Sequence, residues 1–277
     1  MPAPAIPSRL ARFTVASPGG KFDLARIAPD DKPCSSGKKL GDRDAVEGLA
    51  VELDGLQNRF WADRRFKLLV VLQGTDTSGK DGTLRHVFGR MSPLGVRTAA
   101  WKAPTENERA HDFLWRIHAA VPADGEIVVF NRSHYEDVLV PLVDGQLDRE
   151  AAQRRYAHIN DFERLLCESG TVVVKFMLHI SEGEQRKRLQ ERLDDPEKYW
   201  KFDPADLKVR DRWGDYQRAY QDAIRATGTP WAPWVVVPAD SKTHRNLMIG
   251  TVLRSVLKGL NLRFPPLAPE LKGLKVP

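Results

Sequence analysis

Gly74-Thr75-Asp76-Thr77-Ser78-Gly79-Lys80 sets a glycine, four residues, a second glycine and a lysine in succession, the Walker A spacing of a phosphate-binding loop. Glycines at those places let the backbone curl until successive N–H groups aim at one anion, and a helix opening at Lys80 adds its positive end. The Lys80 ammonium supplies a mobile point charge for a phosphate oxygen. The plain alternative is a glycine turn with a surface lysine. Asp81 follows Lys80, where a nucleoside-triphosphatase loop has Ser or Thr, and Gly82 and Thr83 come next. Asp76 and Asp81 would repel phosphates unless a cation stood between, which suggests a magnesium-bridged arrangement. Asp81 could instead face solvent on the first turn, where the helix dipole favours a carboxylate.

Two further clusters carry charge suited to phosphoryl transfer. In Asn131-Arg132-Ser133-His134-Tyr135-Glu136-Asp137, Arg132 could neutralise a transferring phosphoryl group and Asn131 could hold a metal or its water. The same residues could merely cap a helix. Gln185 to Arg192, then Asp195-Pro196 and Tyr199-Trp200-Lys201-Phe202, join basic residues, a proline break and aromatics, the make-up of a mobile lid that excludes water. A solvated helix face is the alternative. Lys102, Arg116, Lys242 and Arg245 read individually as surface charges.

These residues need a scaffold. Residues 66–74, 96–100, 126–133, 171–180 and 234–238 are short apolar runs rich in β-branched residues, and helical periodicity fills the intervals between them. Helices are expected over 42–63, 80–91, 106–119, 148–169 and 181–193, then on to 226, and after the last strand to 260. That alternation predicts a parallel α/β sheet of five strands covered on both faces, with ligands beyond the strands' carboxyl ends. Residues 1–41 read as an extended basic arm and 266–277 as a Pro-rich tail.

The chain of 277 residues has a formal charge of +6, with a net of +4 in residues 1–43, +6 in 242–277 and −4 between. Basic ends on an acidic body suit a polyanion, or serve only solubility. Two cysteines, Cys34 and Cys167, build no disulfide framework and point to the cytoplasm; no window is apolar enough for a membrane span.

In their order, GTDTSGKDGT at 74–83, FLWRIH at 113–118, FNRSHYEDVLV at 130–140 and RLDDPEKYWKFDPADLKVRDRW at 192–213 resemble the polyphosphate kinase 2 family, over residues 42–265. The chain looks most like class III, which phosphorylates nucleoside mono- and diphosphates from inorganic polyphosphate. The resemblance implies a P-loop kinase-like α/β/α domain with a helical lid over about 182–213, magnesium as cofactor, polyphosphate and adenine nucleotides as partners, neither nucleic acid nor membrane, and a homo-oligomer. It implies catalytic roles for Asp76, Lys80, Asn131, Arg132 and Arg192, with Asp76 and Asn131 at the metal. Phosphate binding falls to Gly74, Thr75, Thr77, Ser78, Gly79, Asp81, Gly82 and Thr83, and nucleotide binding to Lys102, Arg116, Glu136, Asp137, Lys201 and Asp206. Asn131 stands where many members have Asp, and Glu136 where classes I and II have Asn. The rival readings are an ATP-dependent kinase on the same fold and a non-enzymatic polyanion-binding protein.

Overall fold

The structure, a computed structural model, describes residues 3–276. The described residues form six strands: β1 (Thr14–Val15), β2 (Lys67–Gln73), β3 (Val96–Ala100), β4 (Ile127–Asn131), β5 (Thr171–His179) and β6 (Trp234–Pro238). They lie in one sheet in the order β1-β6-β5-β2-β4-β3, parallel except for β1, which runs antiparallel to β6. Five strands are those expected. The sixth comes from the segment read as an extended arm: β1 is too short to show a period, yet Leu10, Phe13, Val15, Leu24 and Ile27 of that segment are buried in the core. Strands β5 and β6 are buried along their whole length, which is why their sequences read as apolar runs, broken in β5 only by Lys175 before its terminal His179.

The ten α-helices are α1 (Lys39–Asp63), α2 (Lys80–Thr83), α3 (Glu106–Arg109), α4 (Trp115–His118), α5 (Glu136–Val143), α6 (Arg149–Glu168), α7 (Glu182–Leu193), α8 (Ala205–Asp211), α9 (Trp213–Thr227) and α10 (Lys242–Gly259). Helices α1, α2 and α10 pack together in one layer, and α5, α6 and α9 in the other, completing the α/β/α arrangement.

Three helical expectations need correction. The stretch 80–91 is a single α-turn followed by a π-helix over Leu84–Phe88. The stretch 106–119 is two short helices: Thr105 and Glu108 form a capping box that starts α3, and the Asp112 carboxylate, accepting the Leu114 amide at 2.9 Å, turns the chain before α4. Helix α5 was unforeseen, and the expected helix up to 226 breaks at Arg212 into α8 and α9.

Register sets the site. Leu72 pairs with Asn131 across β2 and β4, and Gln73 with Met177 across β2 and β5. The carboxyl end of β2, where the glycine loop begins, therefore lies beside the turn that carries Asn131 and Arg132. Chain order reverses about β2, so the loop opens at the topological switch point of the sheet. Among the described residues no helix is long and apolar enough to cross a membrane.

Candidate active site

The loop from Gly74 to Gly79 has the backbone its glycines predict. Gly74 has φ 148° and Gly79 φ 105°. A Cβ at Gly74 would stand 2.7 Å from the Leu178 carbonyl oxygen, so only glycine lets β5 approach so closely. Thr77 takes φ 63°, a left-handed conformation without glycine, as befits strain kept at a functional turn. The Ser78 amide closes onto Thr75 O at 3.1 Å and the Thr83 amide onto Gly79 O at 2.9 Å, whereas the amides of Asp76, Thr77 and Gly79 donate to no backbone carbonyl among the described residues. The hydroxyls of Thr77, Ser78 and Thr83 are buried and unpartnered among the described residues. Unpaired donors around a helix start are what an oxyanion requires.

Lys80 opens α2 and is buried, its Nζ donating to Gly74 O at 2.7 Å and Thr75 O at 3.2 Å. Burial, reinforced by the Arg132 charge, pulls its pKa down to about 8, against the attraction of Asp76, Glu136 and Asp81. A phosphate binds the charged form, so kcat/KM for the phosphorylated substrate should fall as pH rises through about 8. The kcat profile, taken with phosphate already bound, should break at higher pH, because the bound oxyanion favours the ammonium. A pH–rate series at limiting and at saturating substrate checks both.

The turn after β4 supplies the second charge. Arg132, at φ 65°, donates to Asp76 at 2.5 Å and to Glu136 at 3.2 Å. Glu136 and Asp76 hold its guanidinium above its ordinary pKa despite burial. Beneath the turn, Tyr135 is fixed by a buried network in which Lys175 Nζ donates to Glu163 (2.5 Å) and Thr227 O (2.7 Å), and the Tyr135 hydroxyl bonds Glu163 (2.9 Å). Asn131 donates its side-chain amide to Asp81 at 2.8 Å rather than turning to Asp76.

Residues around Arg192 line a cleft together with the loop. Arg192 Nη1 donates to Lys201 O at 2.7 Å and to Asp206 at 3.0 Å. Burial and the Asp76 charge raise the Asp206 pKa to about 6, opposed by Arg192. Two clefts meet here. One, of about 430 Å³, is lined by Lys80, Asp81, Arg132, Arg188, Arg192, Lys198, Lys201, Asp206 and Lys242. The other, of about 330 Å³, is lined by Glu136, Lys208, Arg212, Tyr216 and Tyr220. Asp76 and Arg132 line both.

Not every expected site residue joins them. Arg116 and Asp137 pair at 3.0 Å and line a separate cleft, and Lys102 offers its carbonyl oxygen to Arg116 at 3.0 Å. Arg188 and Arg245 lie under the loop, both donating to Ser78 O, at 3.2 and 3.3 Å. Arg116 and Arg245 are buried, which corrects their reading as surface charges. Twelve residues of α10 are buried, from His244 to Leu253 without a break, so no helical period marks Arg245 as lying on the inner face.

The donor set also bears on a divalent cation. Among the described residues no three His, Cys, Asp or Glu side chains converge on one point. Magnesium seldom needs such a cage: it takes one or two carboxylates, substrate phosphates and water. Asp76 and Asp81 flanking a phosphate loop fit that mode.

The polyphosphate kinase 2 family model matches residues 37–264. The chain is 48% identical to the AMP/ADP-polyphosphate phosphotransferase of Meiothermus ruber, over 94% of this chain and 96% of that protein. It is 38% identical to the ADP-polyphosphate phosphotransferase of Rhodopseudomonas palustris, over 91% of each. The crystal structure of polyphosphate kinase 2 from Arthrobacter aurescens superposes with a TM-score of 0.87 at 43% identity, covering 91% of this chain and 93% of that one. A glycine loop at the switch point, basic side chains lining the cleft beside it and likeness along nearly the whole chain lead to one conclusion: this chain belongs to the polyphosphate kinase 2 family.

Proposed function

We propose that the protein is a polyphosphate-dependent nucleotide kinase that moves a phosphoryl group from inorganic polyphosphate to AMP and ADP, with magnesium as cofactor, as a homo-oligomer in the cytoplasm. The observation that carries this is the pair of clefts meeting at Asp76 and Arg132. Each cleft can take one polyanion, and Asp76 and Arg132, which line both, would then stand between donor and acceptor. The two relatives compared above, named for AMP/ADP and for ADP, support the substrates. The catalytic unit is taken as residues 42–265, with the lid over about 182–213.

An acceptor phosphate oxygen is already a nucleophile. It attacks the terminal phosphorus of the chain, the bridging P–O bond breaks, and the chain leaves one phosphate shorter with the bridging electron pair. No covalent enzyme intermediate is required. The protein's task is electrostatic: two unit charges about 4 Å apart repel by about 1 kcal/mol even in water. Lys80 and the loop amides grip phosphoryl oxygens, Arg132 bridges the clefts, and Arg192 closes from the lid. Asp76 and Asp81, with Asn131 beside them, would hold magnesium, which when bound neutralises phosphate charge. Arg116 and Asp137 would act on the nucleotide only after rearrangement of their ion pair, in which Lys102 takes part only through its carbonyl oxygen.

The purified chain is to be supplied with polyphosphate and AMP or ADP and no other donor. Formation of ADP and ATP is the expected result. Phosphorylation only when ATP is the donor would mean an ATP-dependent kinase. Glu136→Asn should lower the rate with AMP by about tenfold relative to ADP, since Glu136 faces the smaller cleft and orients Arg132. An unchanged AMP-to-ADP ratio would remove Glu136 from acceptor choice.

A further inference from the structure

One cation near the site has no counter-ion among the described residues. Arg245, on the first turn of α10, is 2% exposed. Its Nη1 donates to Ser78 O at 3.3 Å, and its Nε and Nη2 to the Asn246 side-chain oxygen at 3.2 and 3.0 Å. Every one of these acceptors is neutral. The charged neighbour that bears on it is another cation: Arg188 donates to the same carbonyl, but has Glu184 at 2.8 Å to balance it. Burial and Arg188 together draw the Arg245 pKa down to about 9. A buried guanidinium without a carboxylate is costly, and low dielectric leaves its repulsion unscreened.

The location of that charge explains its persistence. A Cβ at Gly79 would overlap the guanidinium, and one at Gly82 would stand 2.9 Å from Nη2. Arg245 thus presses on the backbone of the turn whose amides at Asp76, Thr77 and Gly79 are left without carbonyl acceptors. We propose that Arg245 is the fixed charge of the phosphate cradle, and that the oxyanion bound on the loop is its counter-ion. It acts as a positioning residue: it shapes the loop through Ser78 and the two glycines, and raises affinity for phosphoryl groups from behind the backbone. This rests on the phosphotransferase reading.

The test uses the full chain, Arg245→Met, and thermal melting with and without tripolyphosphate or AMP. Without ligand the variant should melt no lower than wild type, since an uncompensated buried charge has gone. With ligand it should bind at least one of the two phosphates about tenfold more weakly. Weakened tripolyphosphate alone puts the donor on the loop, and weakened AMP alone puts the acceptor there. A variant that melts lower by the same amount with and without ligands, and binds both as wild type does, would make Arg245 merely structural and overturn the proposal. If Arg245→Met does not fold, Arg245→Lys decides: its affinity for at least one of tripolyphosphate and AMP should fall more steeply than wild type's between about pH 7 and pH 9, because a buried lysine loses its proton more readily than an arginine. Slopes identical to wild type's for both phosphates would overturn the proposal. If the phosphotransferase reading itself is wrong, neither phosphate stabilises the wild-type protein, an outcome distinct from equal stabilisation of wild type and variant.

Discussion

Lys80→Met lowers kcat/KM for polyphosphate-dependent phosphorylation by about a thousandfold or more, with little loss of stability. The size follows from position. Lys80 is a buried cation at the base of the loop, where the dielectric is low and a charge acts on phosphoryl oxygens more strongly than in water. It donates to Gly74 O and Thr75 O, so it also fixes the loop's curvature. Methionine keeps the length and the apolar stem and removes only the ammonium. Stability moves differently because of linkage. The folded pKa of Lys80 lies near 8, below the 10.5 of a free lysine, so the unfolded chain binds that proton more tightly. Its charged form therefore costs stability below about pH 8, and stability rises with pH between the two values. Removing the amine removes that cost and leaves two carbonyls short of a donor, two effects of opposite sign. Denaturant melts beside steady-state kinetics separate the two. A variant retaining a tenth of the activity would show that the loop amides suffice without the lysine.

The loop was legible in the sequence because its physics is local. A buried strand, glycines where φ must be positive and a helix start all fall within a few residues of one another. Strands β2, β4, β5 and β6 were legible for a related reason: buried on both faces, they leave apolar runs that little else produces. Illegible features depend on distant partners. Lys175 sits in the middle of β5 with no sequence sign that Glu163 of α6 and Tyr135 of the β4–α5 turn will meet it. Strand β1 exists only because β6 offers an open edge. Arg116 and Asp137 carry the residue types of a ligand site, yet 21 positions apart they neutralise each other. Charge alone could not separate a cation awaiting phosphate from one already paired.

Arg132 is the cation whose partners hold it at the crossing of the two clefts, and Arg132→Lys should cost about a thousandfold in kcat with a smaller change in KM. The guanidinium engages Asp76 with one terminal nitrogen and Glu136 with the other. A lysine ammonium is a compact point charge on a flexible stem and cannot span both carboxylates in one plane. Whichever carboxylate it leaves would lose its guanidinium partner beside the incoming phosphates, and Asp76 lines both clefts. The loss should fall mainly on kcat, since two bound polyanions still meet Lys80 and the lid in the ground state, while charge that develops between them meets a misplaced cation. The backbone adds to this: residue 132 lies at φ 65°, tolerated because Tyr135 and the Lys175–Glu163 pair anchor the turn from below. Loosening that anchor with Tyr135→Phe should reproduce a fraction of the kcat loss, and combining it with Arg132→Lys should cost less than the two single losses added together, since both act on one turn. Strict additivity in the double-mutant cycle would show that the buried network supports the fold but not the placement of Arg132.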